Sequence, residues 1–186
     1  MILVYGGAFN PPTKAHYEII SLLKEKFHPN EFYLLPVGPQ YNKPGVANYV
    51  DRFAMCELMG QKLGIKVSNM ENEETYRGTY YALKEFSKID KHVYFVMGAD
   101  NFDYLDKWIM ADKLVAEFKF IVLTREGYDV DKIYQTKFSI YRDNFVFIEY
   151  NSDISSSLYR KTRDKSLLIT EVIEYINEKG LYKELN

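Results

Sequence analysis

The chain has 186 residues, of which 47% are hydrophobic and 27% charged, and this length predicts a single domain over residues 1–186 with one full-sized core. Its 24 Lys and Arg nearly balance its 26 Asp and Glu, without a long basic run, so a nucleic-acid partner is not expected. The single cysteine, Cys56, excludes a disulfide framework and a cysteine-based zinc site.

Short apolar strand patterns alternate with helical patterns along the chain. Strands are predicted at 2–5, 32–36, 65–68, 93–97, 120–123 and 145–149. Helices are predicted at 14–27, 49–63, 79–86, 102–108, 111–117, 156–163 and 168–179, the last of them capped by Gly180. Long surface loops are predicted at 37–48 and 127–139. This alternation predicts an α/β fold, a Rossmann-like parallel sheet with helices on both faces and a short C-terminal helical extension.

The first predicted strand and helix are joined by GGAFNPPTKAH, residues 6–16. Gly6 and Gly7 let the backbone approach a ligand closely or adopt a positive φ. Thr13 stands at the N-cap position and His16 follows three residues later. Hydroxyl, imidazole and unpaired helical N–H groups together favour a polyphosphate at this helix start. The alternative is a capped helix that binds nothing, which we favour for Thr13 taken alone.

A second helix start with phosphate-binding residue types is DISSSLYR, residues 153–160. Ser155 is placed to cap the helix, and the next two serines expose N–H groups in its first turn. Arg160, one turn beyond Ser156, can donate to two phosphate oxygens at once. The alternative is a serine-rich helix start with a solvated arginine. If both motifs hold one triphosphate, the two helix starts must meet in the folded chain.

The two motifs resemble signatures of the nucleotidyltransferase superfamily. The first resembles G-x-F-[DN]-P-x-[HT]-x-G-H, with Ala15 in place of the usual glycine, and the second resembles I-S-S-[ST]-x-x-[RK]. Within that superfamily the chain resembles bacterial nicotinate-nucleotide adenylyltransferases essentially end to end. The segments that carry this resemblance are LPVGPQYNK ending at Lys43, RFAM beginning at Arg52, GADNFDYLDKW ending at Trp108, and the strand ending in R-x-G at Arg125.

The resemblance implies transfer of the adenylyl group of ATP to the 5′-phosphate of nicotinate mononucleotide, or of nicotinamide mononucleotide, in NAD biosynthesis. Pyrophosphate is the second product, and Mg²⁺ would arrive bound to ATP. The implied catalytic residues are His16, Thr13 and Arg160. The implied ATP-binding residues are Gly6, Gly7, Ala8, Phe9, His16, Lys43, Gly98, Asp100, Arg125, Ile154, Ser155, Ser156, Ser157 and Arg160. The implied mononucleotide-binding residues are Asn10, Lys43, Thr79, Tyr80, Tyr81, Trp108 and Ile109.

Several of these residues also have a structural interpretation. Asp100 is placed to cap a helix, Trp108 to pack in a core, and Lys43 and Arg125 to be solvated cations. Two positions depart from the family pattern. Tyr81 stands where a threonine helps to bind the nicotinate carboxylate, and a tyrosine is frequent at the position of Ile109. These departures leave the choice between the acid and the amide mononucleotide open.

Two other functions remain open from the sequence. Pantetheine-phosphate adenylyltransferases share both phosphate motifs, and a non-catalytic nucleotide-binding paralogue would retain the same pocket. No apolar run approaches the roughly 20 residues that cross a bilayer, and the start MILVY is typical of a strand rather than a secretory signal. We therefore expect a cytoplasmic protein with no membrane partner, and a homo-oligomer remains open.

Overall fold

The computed structural model describes residues 1–41, 45–72 and 77–183. Its strands are β1 (Ile2–Gly7), β2 (Glu31–Pro36), β3 (Lys66–Val67), β4 (Val93–Gly98), β5 (Lys119–Thr124) and β6 (Phe145–Glu149). They form one six-stranded sheet in the order β3-β2-β1-β4-β5-β6. The pairs β2–β3, β1–β4, β4–β5 and β5–β6 all run parallel. The predicted α/β fold with a parallel sheet is therefore confirmed.

The helices within the described residues follow the strands in alternation. They are α1 (Lys14–Phe27), α2 (Tyr49–Leu63), α3 (Thr79–Phe86), α4 (Ala99–Tyr104), α5 (Ala111–Glu117), α6 (Val130–Ile133), α7 (Ser156–Thr162) and α8 (Thr170–Lys179). Short 3₁₀ segments cover Leu105–Lys107, Ser139–Asn144 and Lys165–Leu167. Helix α8 ends at Gly180, whose left-handed backbone (φ 62°) confirms the predicted glycine cap.

Two predicted segments are wrong. The helix expected at 102–108 begins earlier, at Ala99, and turns into a 3₁₀ helix after Tyr104. The loop expected at 127–139 contains α6 and a π-helical turn, Tyr134–Phe138. Tyr134 and Phe138 lie four residues apart and both contact the ring of Phe145, with ring centroids 6.1 and 5.4 Å away. The Gly and Asp residues at the start of this segment favour a loop. Packing of the aromatic rings orders the segment instead.

The chain divides into two compact units that alternate along the sequence. Unit 1 comprises Met1–Gly6, Pro29–Phe32 and Thr75–Asn151, and unit 2 comprises Gly7–His28, Tyr33–Glu74 and Ser152–Asn186. The core of unit 1 includes the fully buried residues Leu3, Val96, Phe102, Phe120 and Ile121, and that of unit 2 includes Ile20, Leu23, Leu34, Met55 and Met59. Both motifs of interest lie in unit 2 from Gly7 onward. The single domain over 1–186 stays a prediction.

Gly6 is required by packing rather than by an unusual backbone angle. A Cβ atom on Gly6 would lie 2.3 Å from Cζ of Phe95, well inside van der Waals contact. Neither Gly6 nor Gly7 has a positive φ, so that explanation for the glycine pair is wrong. The left-handed residue of this turn is Phe9, with φ 46°. Strained backbone at a non-glycine residue often marks a functional turn.

Replacing Gly6 with Ala should lower the free energy of unfolding by about 1–3 kcal/mol, because Phe95 must move to admit the methyl group. Urea denaturation would measure the change. The matched control is Gly7→Ala, where the new Cβ would lie 3.2 Å from Cζ of Phe9 and needs only a small adjustment. Equal losses in the two variants would contradict the packing explanation.

Candidate active site

The first motif places an imidazole in a fixed orientation at the start of α1. Thr13 is the N-cap, with extended backbone (φ −117°, ψ 173°), and it is 0% exposed. Its backbone N–H donates to Nδ1 of His16 over 2.9 Å, and its Oγ1 lies 2.9 Å from the same nitrogen. Since Nδ1 accepts, the neutral ring carries its proton on Nε2, and Nε2–H is the donor that His16 offers. The capping position of Thr13 is confirmed.

The surroundings of His16 keep the imidazole neutral. The ring meets Phe9 edge-on, with centroids 5.2 Å apart. Burial lowers the pKa of His16 from 6.5 to about 4. At neutral pH the residue is therefore an uncharged hydrogen-bond donor.

The second motif meets the first through two hydrogen bonds of α7, and a third bond within α7 holds Arg160. Ser156 Oγ donates to the carbonyl of Pro11 over 2.7 Å. Arg160 Nη1 donates to the carbonyl of Asn10 over 2.7 Å, and its Nη2 donates to Ser157 Oγ over 3.1 Å. The two helix starts therefore meet, as the hypothesis of one shared triphosphate requires.

The serines of the second motif make different hydrogen bonds. Ser155 is the N-cap of α7, and its Oγ accepts from the backbone N–H of Leu158 over 3.1 Å. The N–H of Ile154, just before it, donates to Ser152 Oγ over 3.1 Å. The predicted cap at Ser155 is confirmed. The predicted phosphate contacts of these serines stay predictions.

Asn10 is a buried connection between three parts of unit 2. Its side chain is 2% exposed, and its peptide bond to Pro11 is cis. Oδ1 accepts from the N–H of Ala47 (3.0 Å) and from the hydroxyl of Tyr182 (2.7 Å), and Nδ2 donates to the carbonyl of Gly45 (3.2 Å). The segment 45–47 follows Lys43, which lies outside the described residues.

Arg52 is a site residue whose importance the sequence pattern did not show. Arg52 is 1% exposed, and burial lowers the pKa of its guanidinium. It donates to four backbone carbonyls, those of Ala47 (3.1 Å), Ala8 (2.9 Å), Val37 (2.7 Å) and Gly38 (3.3 Å). Beside the RFAM segment of the family resemblance, the sequence held a second signal: Arg52 shares the 3- and 4-residue spacing of Met55, Cys56 and Met59 on the buried face of α2.

Unit 1 holds the remaining predicted residues, most of which lie in two groups. The first group lies where β4 ends and α4 begins. Gly98 is the N-cap of α4, and a Cβ on it would lie 2.6 Å from Oδ1 of Asp100. Asp100 is exposed in the first turn, where a carboxylate is favourable, so it is not the N-cap itself. Burial, and then Asp100, raise the pKa of Tyr5.

The second group surrounds Trp108. This ring meets Phe95 edge-on, with centroids 5.9 Å apart, and is partly buried. The next residue, Ile109, is 47% exposed and contacts the backbone at Gly78, where a Cβ would lie 2.8 Å from Cβ of Ile109. Tyr81 is 39% exposed, and the Arg77 guanidinium lies 5.3 Å from its ring centroid. An exposed aromatic and apolar surface therefore adjoins a cation.

Three other predicted residues have different surroundings. Thr79 is buried, and so is Tyr80, whose hydroxyl donates to Glu117 Oε1 over 3.0 Å. Arg125 is exposed after β5, with its guanidinium 5.1 Å from the ring centroid of Tyr128. The predicted substrate contacts of these three residues stay predictions.

Two general findings bear on the chemistry. Across residues 1–41, 45–72 and 77–183, no group of three or more His, Cys, Asp or Glu side chains is arranged to hold a metal ion. Over the same residues, no helix has the length and apolar character needed to cross a membrane.

Comparison with known proteins identifies the family. The cytidylyltransferase-like family model matches residues 4–162. A probable nicotinate-nucleotide adenylyltransferase of Acholeplasma laidlawii is 41% identical over 100% of this chain and 99% of its own. A second, from Clostridium acetobutylicum, is 29% identical over 96% of this chain and 97% of its own. The chain belongs to the cytidylyltransferase-like family, and its resemblance to nicotinate-nucleotide adenylyltransferases is confirmed.

Solved structures support the fold. A Plasmodium falciparum nicotinic acid mononucleotide adenylyltransferase complexed with NaAD aligns with a TM-score of 0.77 at 23% identity, covering 97% of this chain and 96% of that one. A structure of a Plasmodium falciparum nicotinic acid mononucleotide adenylyltransferase complexed with APC aligns with a TM-score of 0.75 at 22% identity, with the same coverage. At these identities the likeness concerns the fold alone.

Replacing Arg52 with Met should lower the free energy of unfolding by about 3 kcal/mol or more, because four carbonyls lose their donor in a buried place. Denaturant titration measures the loss. Arg125→Met, which removes an exposed guanidinium, serves as the control and should change little. An Arg52→Met protein as stable as the wild type would show that the four bonds are unimportant.

The pH dependence of stability should carry the signature of His16. Its folded-state pKa of about 4 lies below the ordinary 6.5, so the unfolded chain binds the proton more readily. The stabilising contribution is therefore complete above pH 6.5 and is lost as the pH falls toward 4, up to about 3 kcal/mol. His16→Gln keeps an acceptor for the Thr13 N–H but cannot titrate, so its stability should fall less over this range.

Free energies of unfolding measured from pH 7 to pH 4 test this expectation. His92→Gln, at an exposed side chain, is the control and should follow the wild type. Parallel curves for the wild type and His16→Gln would contradict a buried neutral imidazole.

Proposed function

We propose that this protein transfers the adenylyl group of ATP to the 5′-phosphate of nicotinate mononucleotide, giving the dinucleotide and pyrophosphate. The observation that carries the proposal is the meeting of the two helix starts, with Arg160 bonded to the carbonyl of Asn10 and Ser156 to that of Pro11. Full-length relatives named for this activity support the same reaction.

The reaction needs no covalent enzyme intermediate. An oxygen of the mononucleotide phosphate forms a bond to the α-phosphorus of ATP while the bond from that phosphorus to the bridging α,β-oxygen breaks. Pyrophosphate leaves with the electron pair. The one thiol, Cys56, is buried, and burial raises its pKa, so it is a poor nucleophile. Catalysis then depends on alignment and on stabilising negative charge in the transition state.

The residues of the first motif act on the α-phosphate. We propose that His16 donates Nε2–H to a non-bridging α-phosphate oxygen, where negative charge must be stabilised in the transition state. Thr13 fixes the tautomer and orientation of that ring through its backbone N–H. Its buried hydroxyl, beside the same ring nitrogen, supports an orienting role more strongly than a direct phosphate contact. Gly7, Ala8 and Phe9 shape the turn that leads to this helix.

The residues of the second motif act on the leaving pyrophosphate. Arg160 is held by the carbonyl of Asn10 and by Ser157, which fixes its guanidinium plane. Its further N–H groups would serve β- and γ-phosphate oxygens, as a guanidinium does well. Lys43 is proposed as a second cation for the triphosphate. Mg²⁺ is proposed to arrive with ATP, since it keeps several waters and takes phosphate oxygens as ligands.

The acceptor is proposed to bind around Trp108, with its pyridine ring against the indole. Tyr81, at the position of the family's threonine, offers an exposed ring next to the Arg77 guanidinium. A cation there favours a nicotinate carboxylate over a neutral amide. Asp100 and Arg125 are proposed to contact the adenosine. The cytoplasm stays the proposed location.

The test is release of pyrophosphate from ATP and a mononucleotide. We expect a higher kcat/KM with nicotinate mononucleotide than with nicotinamide mononucleotide, and no turnover with phosphopantetheine. His16→Ala should lower kcat about 100- to 1000-fold while KM for ATP changes little, because the donor acts mainly in the transition state.

His92→Ala, at an exposed histidine, is the control and should keep wild-type turnover. Melting temperatures of the variants would show that each is folded. Near-normal turnover in a folded His16→Ala protein would contradict the role of His16. Turnover with phosphopantetheine, but with neither mononucleotide, would contradict the proposed acceptor.

A further inference from the structure

We propose that Tyr182 is a positioning residue for ATP: through Asn10, its hydroxyl fixes both Arg160 and the segment 45–47. The proposal rests on the proposed function, since it assigns Tyr182 to the part of that site that holds the triphosphate. Tyr182 lies beyond the end of α8, and it needs no contact with the nucleotide.

Tyr182 is held against the helix that carries Arg160. Its ring meets Tyr159 edge-on, with centroids 5.8 Å apart, and the Arg163 guanidinium lies 5.9 Å from its centroid. Both partners belong to α7 or its C-cap. The backbone of Tyr182 is left-handed, with φ 56°, which is unfavourable for a bulky residue. Contacts around the side chain, rather than local preference, therefore determine this conformation.

The hydroxyl of Tyr182 joins this assembly to the first motif. It donates to Asn10 Oδ1 over 2.7 Å, the shortest bond that the Asn10 side chain makes among the described residues. Burial raises the pKa of the phenol, so the hydroxyl stays protonated and keeps donating at every pH of interest.

Asn10 connects Tyr182 to two other parts of the proposed site. Through its side chain it holds the carbonyl of Gly45 and the N–H of Ala47, which follow Lys43 in the chain. Through its backbone carbonyl it accepts from Arg160 Nη1. A shift of Asn10 as a whole would therefore move its bonds to the 45–47 segment and the anchor of Arg160 together, whereas a rotation of its side chain alone would disturb only the bonds to Gly45 and Ala47. The Tyr182 hydroxyl opposes such a shift by holding Oδ1 of Asn10.

Tyr182→Phe removes this one hydroxyl and keeps the ring contacts. We expect KM for MgATP to rise about 3- to 10-fold, the range that corresponds to one hydrogen bond, with kcat within about twofold of wild type. Tyr182→Phe leaves Arg160 in place and loosens only its anchor, and Arg160 contacts the triphosphate already in the bound ground state, so we expect the effect mainly in KM. The KM for the mononucleotide serves as an internal comparison.

The matched control is Tyr175→Phe. The Tyr175 hydroxyl donates to Asp51 Oδ1 over 2.9 Å, so this variant also loses one partly buried phenol bond of the C-terminal region. It should lose similar stability and leave KM for ATP unchanged. A rise of the same size in both variants, or none in Tyr182→Phe, would overturn the proposal, because a purely structural tyrosine predicts one of those results.

The route through Asn10 is tested by a double-mutant cycle. In an Asn10→Ala background, Tyr182→Phe should add almost no further rise in KM for ATP. If the two substitutions instead raise KM by the product of their separate effects, Tyr182 does not act through Asn10. The comparison of Tyr182→Phe with Tyr175→Phe decides alone if Asn10→Ala does not fold. If the wild type shows no turnover, the proposed function fails, and calorimetric ATP affinities of the same variants then decide the role of Tyr182.

Discussion

Two backbone carbonyls join the two motifs on which the site depends. The carbonyls of Asn10 and Pro11 accept hydrogen bonds from Arg160 and Ser156, residues that lie about 145 to 150 positions further along the chain. Both acceptors are backbone carbonyls, so the junction depends on where the chain runs between β1 and α1. It brings a helix start with an imidazole and a helix start with a guanidinium to one place. An anion at such a place meets N–H dipoles and a fixed cation together.

The electrostatics of the site follow from burial. His16 is neutral because burial lowers its pKa to about 4, and its tautomer is set by the N–H of Thr13. Arg52 is buried too, but four carbonyl dipoles surround its guanidinium. The protein thus keeps one donor uncharged and one cation satisfied by the backbone. In this arrangement Arg52 stabilises the turn after β1 and the chain that leaves β2, and Arg160 is the cation that we propose for the phosphates.

Most of the secondary structure could be predicted because it depends on local physics. The bounds of α1, α2, α3, α5 and β6 agree with the apolar spacing and capping residues read from the chain. The prediction failed at 127–139, where aromatic rings distant in sequence order the segment, and at 102–108, where Asp100 and its neighbours start the helix early. In the first of these places the packing of aromatic rings outweighs the local preference. Phe9, not a glycine, takes the left-handed turn between β1 and α1.

The sequence alone determined the class of fold, the two phosphate-type helix starts and the residues in them, because spacing, capping and motif order are properties of the chain itself. It could not reveal that Asn10 joins the segment 45–47, Arg160 and Tyr182, nor that Arg52 holds four carbonyls. Those bonds connect residues from 5 to 172 positions apart. No local pattern encodes them. Only the tertiary structure, in which backbone groups from separate elements must find buried partners, decided which side chains would supply them.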